Sequence, residues 1–237
     1  MIAPDLRGHG DSAWIGAGGY YHFMDYVADL DDVIGRLARS RVILVGHSMG
    51  GSISGYYAGV RPERLSALAL LEGLGPPDMA RLDGPDRTAT WIEGWRTARG
   101  KARPMPTLDE AVRRLRKHDA LLDEALARRL AEAGTRAVPG GFAWKHDPLH
   151  MTFGPYAYRL ETAIKYWQRV TCPVLIVDGA QSTLNLPEAE RAARRAHFAN
   201  HRHVVIDHCG HAIQRHQPAA LAELVLELTR SEDPTAA

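Results

Sequence analysis

A serine hydroxyl becomes a useful nucleophile only where the chain lifts it clear of its surroundings and a base can take its proton. Gly46-His47-Ser48-Met49-Gly50 meets the first condition. It has the form G-x-S-x-G and lies between an apolar run at residues 41–45 and a stretch of small residues at 52–60. A strand, a tight turn and a helix in that order raise Ser48 above a sheet edge and set the Met49 N–H at a helix N-terminus. A backbone donor there faces a developing oxyanion. Glycines are expected at 46 and 50 because a side chain at either would collide with the neighbouring strand or helix. The second condition has 12 histidines to draw on. His47 neighbours the serine, but on so tight a turn it points elsewhere and reads as structural.

Several elements must position these groups. Apolar residues recur at helical spacing over Phe23–Leu37, with Asp25, Asp29, Asp31 and Asp32 on the polar face, which predicts an amphipathic helix. Residues 41–45 form a β-branched run without alternation, the pattern of a central parallel strand covered on both faces. The small-residue helix over 52–60 stops near Pro62, and another apolar strand follows at Leu65–Leu71. Further strands are predicted at 173–177 and 203–206, with helices at 188–198 and 219–229 and a frayed tail at 231–237. Ile2-Ala3-Pro4-Asp5 reads as the end of a strand entering a Gly-rich loop. The alternation implies an α/β fold with a parallel sheet. From 77 to 158 Arg, Ala and Leu dominate, with helical spacing clear at 108–133, so this is an inserted helical segment.

Composition narrows the function. A net charge of +1 with 45% hydrophobic and 24% charged residues in 237 excludes a disordered chain. The balanced charge argues against nucleic acid as a partner. No run approaches the roughly 18 apolar residues of a membrane span, and the start lacks the basic and apolar regions of a signal peptide. Two cysteines make no disulfide framework, and neither they nor the histidines show metal-ligand spacing. The expectation is a cytoplasmic, soluble protein that takes a small-molecule substrate without metal or cofactor.

Asp5-Leu6-Arg7-Gly8-His9-Gly10-Asp11-Ser12, Gly46-His47-Ser48-Met49-Gly50-Gly51 and Gly210-His211, in that order, resemble the α/β-hydrolase superfamily over nearly the whole chain. The likeness is greatest to its bacterial esterase, C–C hydrolase and serum-hydrolase-like branches. The resemblance implies an α/β-hydrolase core with a mostly parallel sheet and an inserted helical cap: core over 1–76, cap over 77–158, core again over 159–237. It implies Ser48 as nucleophile, His211 as base after the last strand, and the Met49 N–H in the oxyanion hole. His9 then supports its own loop, while His208 and His216 flank the base as weaker competitors. The substrate class implied is a small, mostly apolar ester or related carbonyl compound. C–C bond hydrolysis and acyl transfer with the same triad stay open. Ser48 excludes the aspartate-nucleophile chemistry of the related epoxide hydrolases and haloalkane dehalogenases.

In the family the acid usually follows the strand read here at 173–177. This chain continues Asp178-Gly179-Ala180-Gln181-Ser182-Thr183. Serine and threonine stand where the acid is expected, and Asp178 comes too early to reach His211. Other members place the acid after the strand that follows the nucleophile helix, which is Glu72 here. A glutamate ending a buried apolar strand is costly unless paired, so Glu72 is the expected acid and Asp178 the alternative. Of the segment 77–158, Trp91, Trp95, Leu115, Leu121, Phe142 and Trp144 are read mainly as packing. The arginines at 113, 114, 116, 128 and 129 are read as a solvated face beside acidic neighbours. Upstream of the first motif the family carries further strands and a His-Gly loop that supplies a second oxyanion donor. Their lack implies a bare sheet edge open to homo-oligomer formation and a rate lower by about 10²–10³. A catalytically impaired, N-terminally truncated fragment is therefore the alternative from outside the enzymes.

Overall fold

Apolar runs with no polar alternation can form strands only where a sheet and its covering helices hide both faces. The structure, a computed structural model, describes residues 1–98, 104–184 and 186–230, and the tail at 231–237 lies outside them. In chain order the elements begin with α1 (Phe23–Leu37), β1 (Val42–His47), α2 (Met49–Val60), β2 (Leu65–Leu71) and α3 (Pro85–Ala98). They continue with α4 (Leu108–His118), α5 (Glu124–Gly134), β3 (Thr135–Val138), β4 (Gly141–Trp144) and α6 (Leu160–Trp167). Last come β5 (Val174–Gly179), α7 (Glu188–Arg195), β6 (His201–Ile206), α8 (Ile213–His216) and α9 (Pro218–Arg230).

The chain divides into two compact units, Met1–Tyr26 with Ala80–Ala157, and Val27–Met79 with Tyr158–Ala237. The second holds a sheet of order β1-β2-β5-β6 in which every neighbouring pair is parallel. This is the α/β architecture expected. Every residue of β2 and of β5 is buried, and each fully buried leucine there is worth roughly 1.5–3 kcal/mol. Register aligns the strand ends, with His47 opposite Leu71, Leu71 opposite Val177, and Gly179 opposite Ile206. Four chain segments therefore leave the sheet side by side at its C-terminal edge. The small residues of α2 let it pack close to α6. A Cβ on Gly59 would strike the Tyr166 backbone, and one on Gly55 would lie 3.0 Å from Trp167 Nε1.

Two strand expectations need correction. Residues 41–45 read as a central strand, but β1 ends the sheet order and Val45 is 43% exposed. Apolar content marks a strand without giving its place in the sheet. Met1–Leu6 is not a strand at all. Polar groups of the following loop capture this segment instead. The Asp11 N–H donates to Asp5 Oδ2 at 2.9 Å and the Ser12 hydroxyl to the Asp5 carbonyl at 2.7 Å.

The first unit has its own core of Met105, Ala111, Val112, Leu122, Ala127 and Ala131, against which Leu115, Phe142 and Trp144 pack. The helical pattern at 108–133 is interrupted, because Asp123 caps α5 by accepting from the Leu126 N–H at 2.9 Å. Thr107 caps α4 in the same way. The antiparallel hairpin β3–β4 has no counterpart in the sequence reading, although Gly140 and Gly141 at φ 86° and 137° mark its turn. Arg113 and Arg114 pair with Glu110, Arg116 with Glu124, and Arg128 with Asp109, as a solvated face does.

Candidate active site

Ser48 joins β1 to α2 with φ 54° and ψ −119°, a region that costs an L-residue on the order of 1–3 kcal/mol. The turn is pinned, since the Ser48 N–H donates to the Leu71 carbonyl at 2.9 Å and the Ser48 carbonyl accepts the Ser52 N–H at 3.0 Å. Gly46 is required, because a Cβ there would collide with the Gly50 carbonyl and the Ser54 hydroxyl. Gly50 is not, since its missing Cβ would point into open space. The expected collision lies one residue later. A Cβ on Gly51 would come within 2.6 Å of Gly73 Cα, where α2 meets the chain leaving β2. Met49 opens α2. Its N–H has no carbonyl four residues back within the helix and lies at the positive end of the helix dipole.

Glu72 leaves the adjacent β2 with φ 50°, and its side chain is 3% exposed. Its Oε1 accepts the Gly179 N–H at 2.8 Å. Its Oε2 accepts the Ser182 hydroxyl at 2.8 Å and His211 Nδ1 at 3.1 Å. A carboxylate can only accept, so Nδ1 of His211 carries a proton, and in the neutral ring Nε2 then keeps its lone pair, the tautomer a general base needs. Burial acts to raise the Glu72 pKa, but the hydrogen bonds from His211, Gly179 and Ser182 outweigh it and hold the carboxyl below the usual glutamate range.

Several groups fix the loop that carries His211. His47 Nε2 donates to the His211 carbonyl at 2.7 Å, and the two rings lie 4.7 Å apart. His47 Nδ1 accepts from Gln214 Nε2 at 3.4 Å. Burial pushes the His47 pKa below the usual histidine range, against the opposing effect of its bond to the His211 carbonyl. So the residue before the serine also supports the backbone of the expected base. The Gly210 N–H donates to His216 Nδ1 at 3.2 Å, and the Gln181 N–H to the Cys209 carbonyl at 2.9 Å. A Cβ on Gly179 would lie 2.5 Å from the Gly210 carbonyl, so β5 and the histidine loop touch through backbone.

The structure thus brings Glu72 to His211 and sets both beside the chain segment that carries Ser48. It does not bring Asp178 to His211. The Asp178 carboxylate accepts Arg191 Nη1 at 2.8 Å and His203 Nε2 at 2.9 Å. His216 serves the loop, and His9 Nδ1 donates to the Arg7 carbonyl at 3.2 Å. Ser182, which stands at the family's usual acid position, and the Gly179 amide are partners of Glu72 that no motif along the chain marks. No group of three His, Cys, Asp or Glu among the described residues is arranged to hold a metal ion.

The alpha/beta hydrolase fold family matches residues 1–215. The chain belongs to the alpha/beta hydrolase fold family. Among its curated relatives in that family is a serine hydrolase-like protein of Danio rerio, 25% identical over 99% of this chain and 74% of the relative. An esterase of Mycobacterium tuberculosis is 25% identical over 94% of this chain and 72% of its own. Among solved structures, the thioesterase domain from the curacin biosynthetic pathway superposes with a TM-score of 0.80 at 27% identity, covering 94% of this chain and 78% of that one. Together these class this alpha/beta hydrolase chain as a hydrolase.

Proposed function

We propose that the chain is a serine hydrolase of small, mostly apolar esters or related carbonyl compounds, working through Ser48, His211 and Glu72. The hydrogen bond between His211 Nδ1 and the buried Glu72 carboxylate, at the sheet edge where the strained Ser48 turn begins, is the observation that carries this reading. His211 Nε2 takes the Ser48 proton as the hydroxyl attacks the acyl carbon, and Glu72 stabilises the imidazolium that forms. The Met49 N–H donates to the tetrahedral oxyanion. The intermediate collapses as His211 returns the proton to the leaving alcohol. Water then repeats the sequence on the acyl-Ser48 ester, releasing the acid and restoring Ser48. The similarity to a thioesterase domain adds thioesters to the substrates worth assaying, since the same steps cleave them with a thiol as leaving group. A cytoplasmic location belongs to the proposal, in keeping with a chain of two cysteines, Cys172 and Cys209, both of them buried.

p-Nitrophenyl esters of increasing acyl length test the reading. The folded protein is expected to hydrolyse the short esters, and Ser48→Ala is expected to lose that activity. Turnover that survives Ser48→Ala would remove the serine from the mechanism.

A further inference from the structure

Glu72 has a longer and more rotatable arm than an aspartate, and it starts from a backbone in the left-handed region. Such a carboxylate holds a histidine in line only if its plane is fixed from outside. The Gly179 N–H fixes Oε1 at 2.8 Å. With that anchor alone the group could swing about the bond and carry Oε2 away from His211. The second anchor is the Ser182 hydroxyl at 2.8 Å, on the same Oε2 that accepts His211 Nδ1. Ser182 is itself held by a turn tied in three places. Its own N–H donates to the Gly179 carbonyl at 3.1 Å, the Gln181 N–H to Cys209 at 2.9 Å, and the Ala180 N–H to Ile206 at 2.9 Å.

We propose that Ser182 is a positioning residue, whose hydroxyl holds the Glu72 carboxylate in line with His211 Nδ1 and shares its negative charge. The proposal rests on the hydrolase reading above and names a further residue of the same site. His211, His47 and the Cys209 thiol are among the ionisable groups that bear electrostatically on Glu72. A hydrogen bond to a charged acceptor is the strong kind. Without it the carboxylate becomes more basic and its full charge falls on the imidazole, and both effects favour the protonated, inactive histidine.

The test compares wild type with Ser182→Ala, Ser182→Cys, which keeps the shape but is a poor donor, and Ser182→Thr, which keeps the hydroxyl. The readouts are kcat and KM for p-nitrophenyl butyrate across pH, and the downfield NMR resonance of the His211 Nδ1 proton in the resting protein. Ser182→Ala and Ser182→Cys should lose roughly tenfold in kcat with KM nearly unchanged. The acid limb of their kcat/KM profiles should move to higher pH, and the Nδ1 proton resonance should shift. Ser182→Thr should restore all three. A wild-type kcat and acid limb in Ser182→Ala and Ser182→Cys would overturn the positioning role while leaving the hydrolase reading intact. If wild type hydrolyses no ester, the hydrolase reading fails and the resonance alone decides. An unmoved signal in Ser182→Ala then overturns the positioning role, and a shift restored by threonine supports it.

Discussion

Ser48, Glu72 and His208 have φ values of 54°, 50° and 54° although each carries a Cβ. Two of the three belong to the proposed triad, so the strain concentrates where side chains must be aimed rather than merely buried. Ser48→Gly relieves the strain and Ser48→Ala keeps it, while both delete the hydroxyl. The glycine variant should be the more stable by about 0.5–1 kcal/mol in urea unfolding; equal stabilities would show that the turn is unstrained. A second residue with consequences is His150. It stacks on His9 at 4.1 Å and meets Tyr26 Oη through Nδ1 at 3.3 Å, and its Nε2 is buried. Burial, reinforced by the nearby His9, lowers its pKa from 6.5 to about 4. Below pH 6.5 the unfolded chain takes up a proton there that the folded one refuses, so stability falls as pH drops and levels off near 4. The loss should be on the order of 1–2 kcal/mol, allowing for solvent screening. His150→Gln should flatten that part of the stability–pH curve, and an unchanged slope would assign the loss to other groups.

At the scale of elements, the C-terminal ends of β1, β2 and β5 and the loop after β6 supply Ser48, Glu72, Gly179 with Ser182, and His211. The glycines between them permit the backbone to come that close. Gly46→Ala should destabilise by roughly 1–3 kcal/mol through overpacking. Gly50→Ala, with nothing within 4 Å of the added carbon, should be neutral or slightly stabilising in a helix's first turn. A comparable loss in both would mean that the turn has a different geometry. Much of this level was legible in the sequence, because local rules govern it. Helical spacing predicted α1 with its observed ends, and the uninterrupted apolar runs predicted β2 and β5. What failed depended on partners elsewhere in the chain. The run at 41–45 does not reveal that β1 ends the sheet. Ile2 resembles a strand residue until Asp5 is seen organising the loop after it. The cap at Asp123 breaks a helix that spacing alone would continue.

On the scale of the whole molecule, the two units each have a separate core, and the sheet unit is held from its middle outward. β2 and β5 are buried throughout and have strand neighbours on both sides, whereas β1 and β6 end the sheet order. Within this unit the amides at 68–71 and 174–177 should therefore exchange hydrogen most slowly, and those at 42–45 at least about tenfold faster. Uniform exchange across the four strands would contradict that order. The site follows the same division of legibility. The G-x-S-x-G turn and the late histidine stand out along the chain, but the anchors on Glu72 come from residues more than 100 positions away and are visible only once the sheet has aligned its ends. Under the proposed function, this alignment makes Ser48 a nucleophile served by His211 and Glu72. Its most direct test is the rate of covalent labelling by a fluorophosphonate probe, located by peptide mass spectrometry. One adduct is expected, on Ser48, absent from Ser48→Ala. Labelling should be slowed by about 10⁴ in Glu72→Gln, whose amide would favour the wrong histidine tautomer. A folded protein that remains unlabelled, or one that labels equally fast with glutamine at position 72, would contradict it.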